Sequence, residues 1–99
     1  MPNLIRGSVF YIDGFHNAVV NITKEVFDEL VGDKLYLISF RQYKINLLSK
    51  HYSDVPEGEA LAMFNDAGYL EIALNKANAA GLLGLEYGSL VMVEVFEPN

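Results

Sequence analysis

Runs of β-branched and aromatic residues recur along this chain, and in most cases only a few turn-forming residues separate one run from the next. Leu4 to Asp13, Ala18 to Ile22, Lys34 to Phe40, Gln42 to Leu48, Glu59 to Asn65, Tyr69 to Leu74 and Leu90 to Phe96 all read as strands. A parallel neighbour needs a crossover of a dozen or more residues, usually helical. Short turns dominate here, so the strands should pair antiparallel. The expected fold is all-β: a small antiparallel barrel of about seven strands with one or two short helices, a sandwich being the other closure.

Local signals fill in the connections. Leu4 to Asp13 is apolar at both parities and is expected to be buried on both sides for part of its length. GFHN, Gly14 to Asn17, is turn chemistry. Thr23 is placed to cap a helix over Lys24–Val31, with Val26, Phe27, Leu30 and Val31 as its apolar stripe and Gly32 as its stop. Tyr43, Ile45 and Leu47 share one face of the fourth strand. Asp66, Ala67 and Gly68 close a hairpin between the fifth and sixth. Asn75 is the expected cap of a short helical stretch through Gly84. Within YLEIAL, Leu70, Ile72 and Leu74 should face the core, leaving Glu71 outward.

Composition removes several function classes. With 52% hydrophobic residues the chain has enough for a core, and its 99 residues suit one domain. The net charge is -6, so no basic stripe exists for a phosphate backbone or an anionic membrane surface. There is no cysteine and only His16 and His51 could offer imidazole, which argues against a metal site. No apolar run reaches the ~20 residues of a membrane span, and the first residues do not read as a signal peptide, so a cytoplasmic protein is expected. The glycines match no phosphate-binding loop. Asp13, His16 and Asn17 cluster between two strands, as a turn or as a site. Tyr52 is either an anchor for its polar loop or a ring offered to a ligand. Asn65 and Asn75 bracket an apolar strand, as turn and cap residues or as holders of main-chain N–H groups that meet a polar ligand.

Taken together, these stretches resemble a known family. Asp13, Phe15, Asn17 and Asn21-Ile22 match a strand ending in Asp, then Phe-Gly-Asn, then a strand ending in Asn-Ile. YSDVPEG, Tyr52 to Gly58, matches a Tyr-x-Asp-Val-Pro-x-Gly segment. Asn65, Gly68 to Ala73, Asn75, Ala79-Ala80, Leu83 to Leu85 and Gly88 match Asn-Ser-x-Gly-Tyr-Leu-Glu-Ile-Ala-x-Asn, then Ala-Ala, Leu-Gly-Leu and Gly. Nearly the whole chain is covered. The pattern resembles that of the C-terminal domain of the S-adenosylmethionine hydroxide adenosyltransferase family, whose superfamily includes the fluorinating and chlorinating enzymes.

The resemblance implies that residues 1–99 are a single β-barrel domain equivalent to the C-terminal domain of a two-domain enzyme. The N-terminal α/β domain would carry the groups that activate water, and in a homotrimer the ligand would lie between one subunit's N-terminal domain and its neighbour's barrel. S-adenosylmethionine would be the substrate and no cofactor is implied. Alone, the chain would be inactive. Asn17 is implied to bond the adenine edge and Tyr52 to stack on its face, with Phe15 alongside. Main-chain groups of Leu74, Asn75, Lys76 and Ala77 would read the rest of that edge. Asp13 would meet the methionine ammonium, and N–H groups of the Asn65-Asp66-Ala67 turn its carboxylate. His16 stands for a glycine, Ser89 for an aspartate at a turn, and Asp66 for a serine, which sets like charges together. At about 4 Å and an effective dielectric near 20 that repulsion is of order 4 kcal/mol. The competing reading is a non-catalytic nucleoside-binding or trimerisation module.

Overall fold

The computed structural model describes residues 3–97. Its elements are β1 (Leu4–Ile12), β2 (Ala18–Thr23), α1 (Lys24–Val31), β3 (Leu35–Phe40), β4 (Tyr43–Ile45), β5 (Ala60–Phe64), β6 (Tyr69–Leu74), α2 (Ala79–Leu83) and β7 (Leu90–Phe96), with a 3₁₀ turn at Tyr52–Asp54. Every strand pairing is antiparallel, in the order β4-β3-β7-β1-β2-β6-β5. The seven strands form a nearly closed barrel carrying two short helices. The open seam lies between β4 and β5. There the chain beyond β4 runs beside β5, and the Ser49 N–H donates to the Ala62 carbonyl at 2.8 Å.

β1 belongs to both halves of the curl. Leu4 to Ser8 pair with β7, while Val9 to Ile12 pair with β2. Val9 faces Val20 and Tyr11 faces Val19, so Phe10 is an extra residue in a bulge. The bulge shifts parity: Ile5, Gly7 and Val9 point inward, Phe10 and Tyr11 are exposed, and Ile12 turns back onto the core. Burial on both sides was expected of β1. Alternation plus one bulge accounts for its composition instead. Where β1 leaves β2, the Asn21 Oδ1 accepts the Ser8 N–H at 2.8 Å. Ile22 fills the space over Gly7, where an added Cβ would lie 2.7 Å from Ile22 Cγ1.

Three further expectations are corrected. The strand expected over Gln42–Leu48 is only Tyr43–Ile45, and Leu47 is 73% exposed. The Leu48 N–H donates to the Tyr36 hydroxyl at 2.6 Å, so the chain has already turned away from β3 there. Thr23 does cap α1, its Oγ1 accepting the Val26 N–H at 3.2 Å, but only Phe27 and Val31 of the stripe are buried while Val26 and Leu30 face out. The second helix is capped by Asn78, whose Oδ1 accepts the Gly81 N–H at 2.8 Å, and not by Asn75. Lys76 has φ +59, and that left-handed residue closes a tight turn ahead of any helix. The Asn75 amide instead donates to the Val55 carbonyl at 2.9 Å.

Candidate functional site

The β1–β2 loop is built around one carboxylate oxygen. Asp13 Oδ1 accepts the N–H groups of Phe15 and Asn17, each at 2.9 Å, while the Asp13 main chain bonds the Asn17 carbonyl and the His16 N–H. Local bonding by a short acidic side chain fixes such loops. His16 sits at φ +64, the backbone region that glycine adopts freely and that histidine tolerates better than most residues. Replacing a glycine by His16 therefore keeps the left-handed turn. The His16 carbonyl accepts the Ala80 N–H at 2.8 Å, tying this loop to α2.

The β6–α2 turn forms the opposite wall. The Ala77 N–H donates to the Leu74 carbonyl at 3.2 Å. Both main-chain groups of Asn75 are engaged by the Gly58–Glu59 segment. Of the main chain expected to read a ligand edge, Asn75 is thus already committed. Among the described residues the Lys76 N–H makes no hydrogen bond. Among the described residues three non-glycine positions have left-handed φ, and two of them, His16 and Lys76, line this space. Such backbone outliers concentrate at functional sites.

Between these walls lies a cavity of about 490 Å³, the size of a small-molecule site. Phe15, His16 and Asn17 line one side and Leu74, Lys76, Ala77 and Asn78 the other, with Tyr52 reaching in from the loop before β5. Phe15, Asn17, Tyr52, Leu74, Lys76 and Ala77 are thereby brought together from three distant stretches. Asp13, Asn65, Asp66, Ala67 and Asn75 do not line it. Phe15 on its rim is 82% exposed, an unusual position for so large an apolar ring.

Behind Tyr52 sits Glu71, which was expected to point outward. It is 5% exposed. The Tyr52 hydroxyl donates to its Oε2 at 2.9 Å, the Asn17 amide reaches the same oxygen at 3.5 Å, and the Asn65 amide donates to Oε1 at 3.3 Å. β6 lies between β2 and β5, and its loop-side face is covered by Tyr52, so both of its faces are buried. Sequence parity could not reveal that. The clue available was a charged residue inside a run otherwise fully apolar. Asn65 Oδ1 accepts the Ala67 and Tyr69 N–H groups, each at 3.0 Å, so the Ala67 N–H is turned inward rather than offered to a ligand. Asp66 itself is exposed.

Burial, with the hydrogen bond and charge of Glu71, pushes the Tyr52 phenol up to about 12, and the charges of Asp13 and Asp66 push the same way. The cavity wall combines the apolar surfaces of Phe15, Leu74 and Ala77 with the polar residues His16, Asn17, Lys76 and Asn78, and Glu71 lies behind Tyr52. An apolar, aromatic-edged space with a few polar groups suits a flat ring that carries hydrogen-bonding edges. Among the described residues no group of His, Asp or Glu is arranged to hold a metal ion. Among them, too, no helix is long and apolar enough to cross a membrane.

Comparison with known proteins adds an independent line. The structure is similar to an uncharacterized conserved protein from Thermotoga maritima, at 27% identity and a TM-score of 0.76, over 94% of this chain and 36% of that one. It is also similar to a conserved hypothetical protein from Thermus thermophilus, at 26% identity and a TM-score of 0.69, over 92% of this chain and 34% of that one. The chain spans about a third of the length of each. No curated protein matches. The family model of the SAM hydroxide adenosyltransferase C-terminal domain matches residues 7–92, and with the barrel that accompanies it this chain belongs to that family.

Proposed function

We propose that this chain is the adenosine- and methionine-binding domain of an enzyme that hydrolyses S-adenosylmethionine, incomplete without an N-terminal α/β domain. What supports the reading is the cavity: six residue positions that the family pattern implicates meet around one space. In this reading the Tyr52 ring lies against the adenine face, a stack of about 1–3 kcal/mol. Asn17 and the Lys76 N–H meet the adenine edge. Asp13, through the oxygen that does not serve its loop, draws the methionine ammonium. Asp66 opposes the methionine carboxylate, which weakens that end. The exposed Phe15 is covered by a neighbouring subunit's N-terminal domain in a homotrimer.

The chemistry is an in-line displacement at C5′. A water oxygen bonds to C5′ as the C5′–S bond breaks, the sulfonium sulfur takes the electron pair and leaves as the methionine thioether, and the water gives up a proton. The barrel's share is to hold the nucleoside and the amino-acid tail so that the reacting atoms are aligned. The water-activating groups lie in the other domain.

The test is to join this chain to the family's N-terminal α/β domain and follow adenosine release from S-adenosylmethionine. Stoichiometric adenosine and methionine are expected. A complete protein that binds adenosine but releases none would instead establish the module reading, in which the barrel only holds a nucleoside or assembles subunits.

A further inference from the structure

Glu71 is the one buried charged residue among those described. No lysine or arginine pairs with it there. A carboxylate buried without a cation is costly, and an apolar residue at the centre of a sheet would not be. Its partners are instead three neutral donors, and each comes from a different loop of the candidate site: Asn17 from the β1–β2 loop, Tyr52 from the segment before β5, and Asn65 from the β5–β6 turn.

The Tyr52 segment depends most on this contact. Residues 50–54 are all exposed. Asp54 Oδ2 accepts the Lys50 and His51 N–H groups, but those bonds stay within the segment. Between the Ser49–Ala62 bond and the Asn75–Val55 bond, the Tyr52 hydroxyl on Glu71 is the only hydrogen bond, among the described residues, that joins this stretch to the barrel. It is also the shortest of the three bonds to Glu71. Without it the ring would be free to leave the cavity.

We propose that Glu71 is a positioning residue whose carboxylate holds the Tyr52 ring, and with it the Asn17 and Asn65 loops, in the arrangement that receives a purine. The inference rests on the adenosine reading above and deepens it: binding is pre-organised from the loop-covered face of β6 by a group that need not touch the ligand. Freezing the ring beforehand removes an ordering cost from the binding step.

The test uses this chain, NMR titration with millimolar adenosine, and the variants Tyr52→Phe, Glu71→Gln, Glu71→Leu and the Tyr52→Phe/Glu71→Leu double variant. Tyr52→Phe keeps the ring and removes only the hydroxyl. It should weaken adenosine binding about tenfold, equivalent to 1.4 kcal/mol. Glu71→Leu, which also releases the Asn17 and Asn65 loops, should weaken it at least as much, the double variant should be no weaker than Glu71→Leu alone, and Glu71→Gln, which retains an acceptor, should recover most of the affinity. Should Glu71→Leu fail to fold, Tyr52→Phe and Glu71→Gln carry the comparison. A purely structural Glu71 would lower stability and leave the affinity of Tyr52→Phe equal to that of the parent; that result, or additive losses in the double variant, overturns the proposal. The Tyr52 ring signals supply a readout without ligand. In the parent they should titrate well above the ordinary tyrosine range, and in Glu71→Leu they should move back toward it. An ordinary titration in the parent means the latch does not exist, whatever binds. If the ring is held and adenosine leaves every signal unmoved, the adenosine reading has failed and the positioning role falls with it.

Discussion

Of the glycines among the described residues, Gly7 has the least room. A Cβ there would lie 2.7 Å from Ile22 Cγ1, 2.8 Å from Asn21 Oδ1 and 2.9 Å from Ile22 Cδ1. Ordinary carbon contacts are near 3.5–4.0 Å. Ile22 is 3% exposed and cannot swing away, and Asn21 Oδ1 is already bonded to the Ser8 N–H. Gly7→Ala must therefore push apart the corner where β1 passes from β2 to β7. Overpacking of this kind costs about 1–3 kcal/mol. The lost freedom of the unfolded chain returns about 0.4–1 kcal/mol. A net loss of about 1–2 kcal/mol should lower the melting temperature by roughly 5–15 °C in a domain this small. Gly14→Ala is the control. Nothing lies within 4 Å of its Cβ position and its φ is outside the left-handed region, so only the unfolded-state effect operates and the melting temperature should rise by a few degrees. Circular-dichroism melts of the two variants and the parent make the comparison. If Gly7→Ala melts with or above the parent, the close packing of this corner is wrong and with it the account of how β1 joins the two halves.

Three other outcomes are expected. The Tyr52 phenol is raised to about 12 in the folded protein, against about 10 unfolded, so between these values the folded state holds the extra proton; stability should be independent of this group below about pH 10 and fall as pH climbs through about 12, and Tyr52→Phe should remove that component from denaturant midpoints measured across the range. Asn78→Ala removes the cap of α2 and should cost about 1 kcal/mol in urea unfolding, with the freed Gly81 N–H exchanging faster in hydrogen exchange; an unchanged midpoint would mean the cap contributes nothing. Asp66→Ser removes a carboxylate from the end assigned to the methionine tail, so in the complete enzyme KM for S-adenosylmethionine should fall several-fold while adenosine affinity stays level; a rise in KM would contradict the placement of that tail.

The family pattern and the strand runs made much of this protein legible before any coordinates. β-branched runs separated by short turns dictate antiparallel neighbours, because the chain has no length for most crossovers. Thr23 capped a helix as read, since a cap is a bond between residues three apart. Turn chemistry at Asp13 was equally local. Asn75 misled because a cap needs the helix to start beside it, and the left-handed Lys76 that delays the helix leaves no mark in composition. Leu47 misled because alternation continues past the point where Tyr36 and Ala62 draw the chain off β3.

What the sequence by itself determined was everything that depends on near neighbours: strand propensity, turns, one cap, and the order of residue types that marks the family. What the tertiary structure decided was which faces are covered. Glu71 looks like an outward residue by period-two parity, yet Tyr52, 19 positions away in sequence, closes over it. Phe15, Tyr52 and Ala77 share a cavity only because β1, β2 and β6 lie side by side. Burial and convergence are properties of long-range contacts, and no local pattern of side chains encodes them.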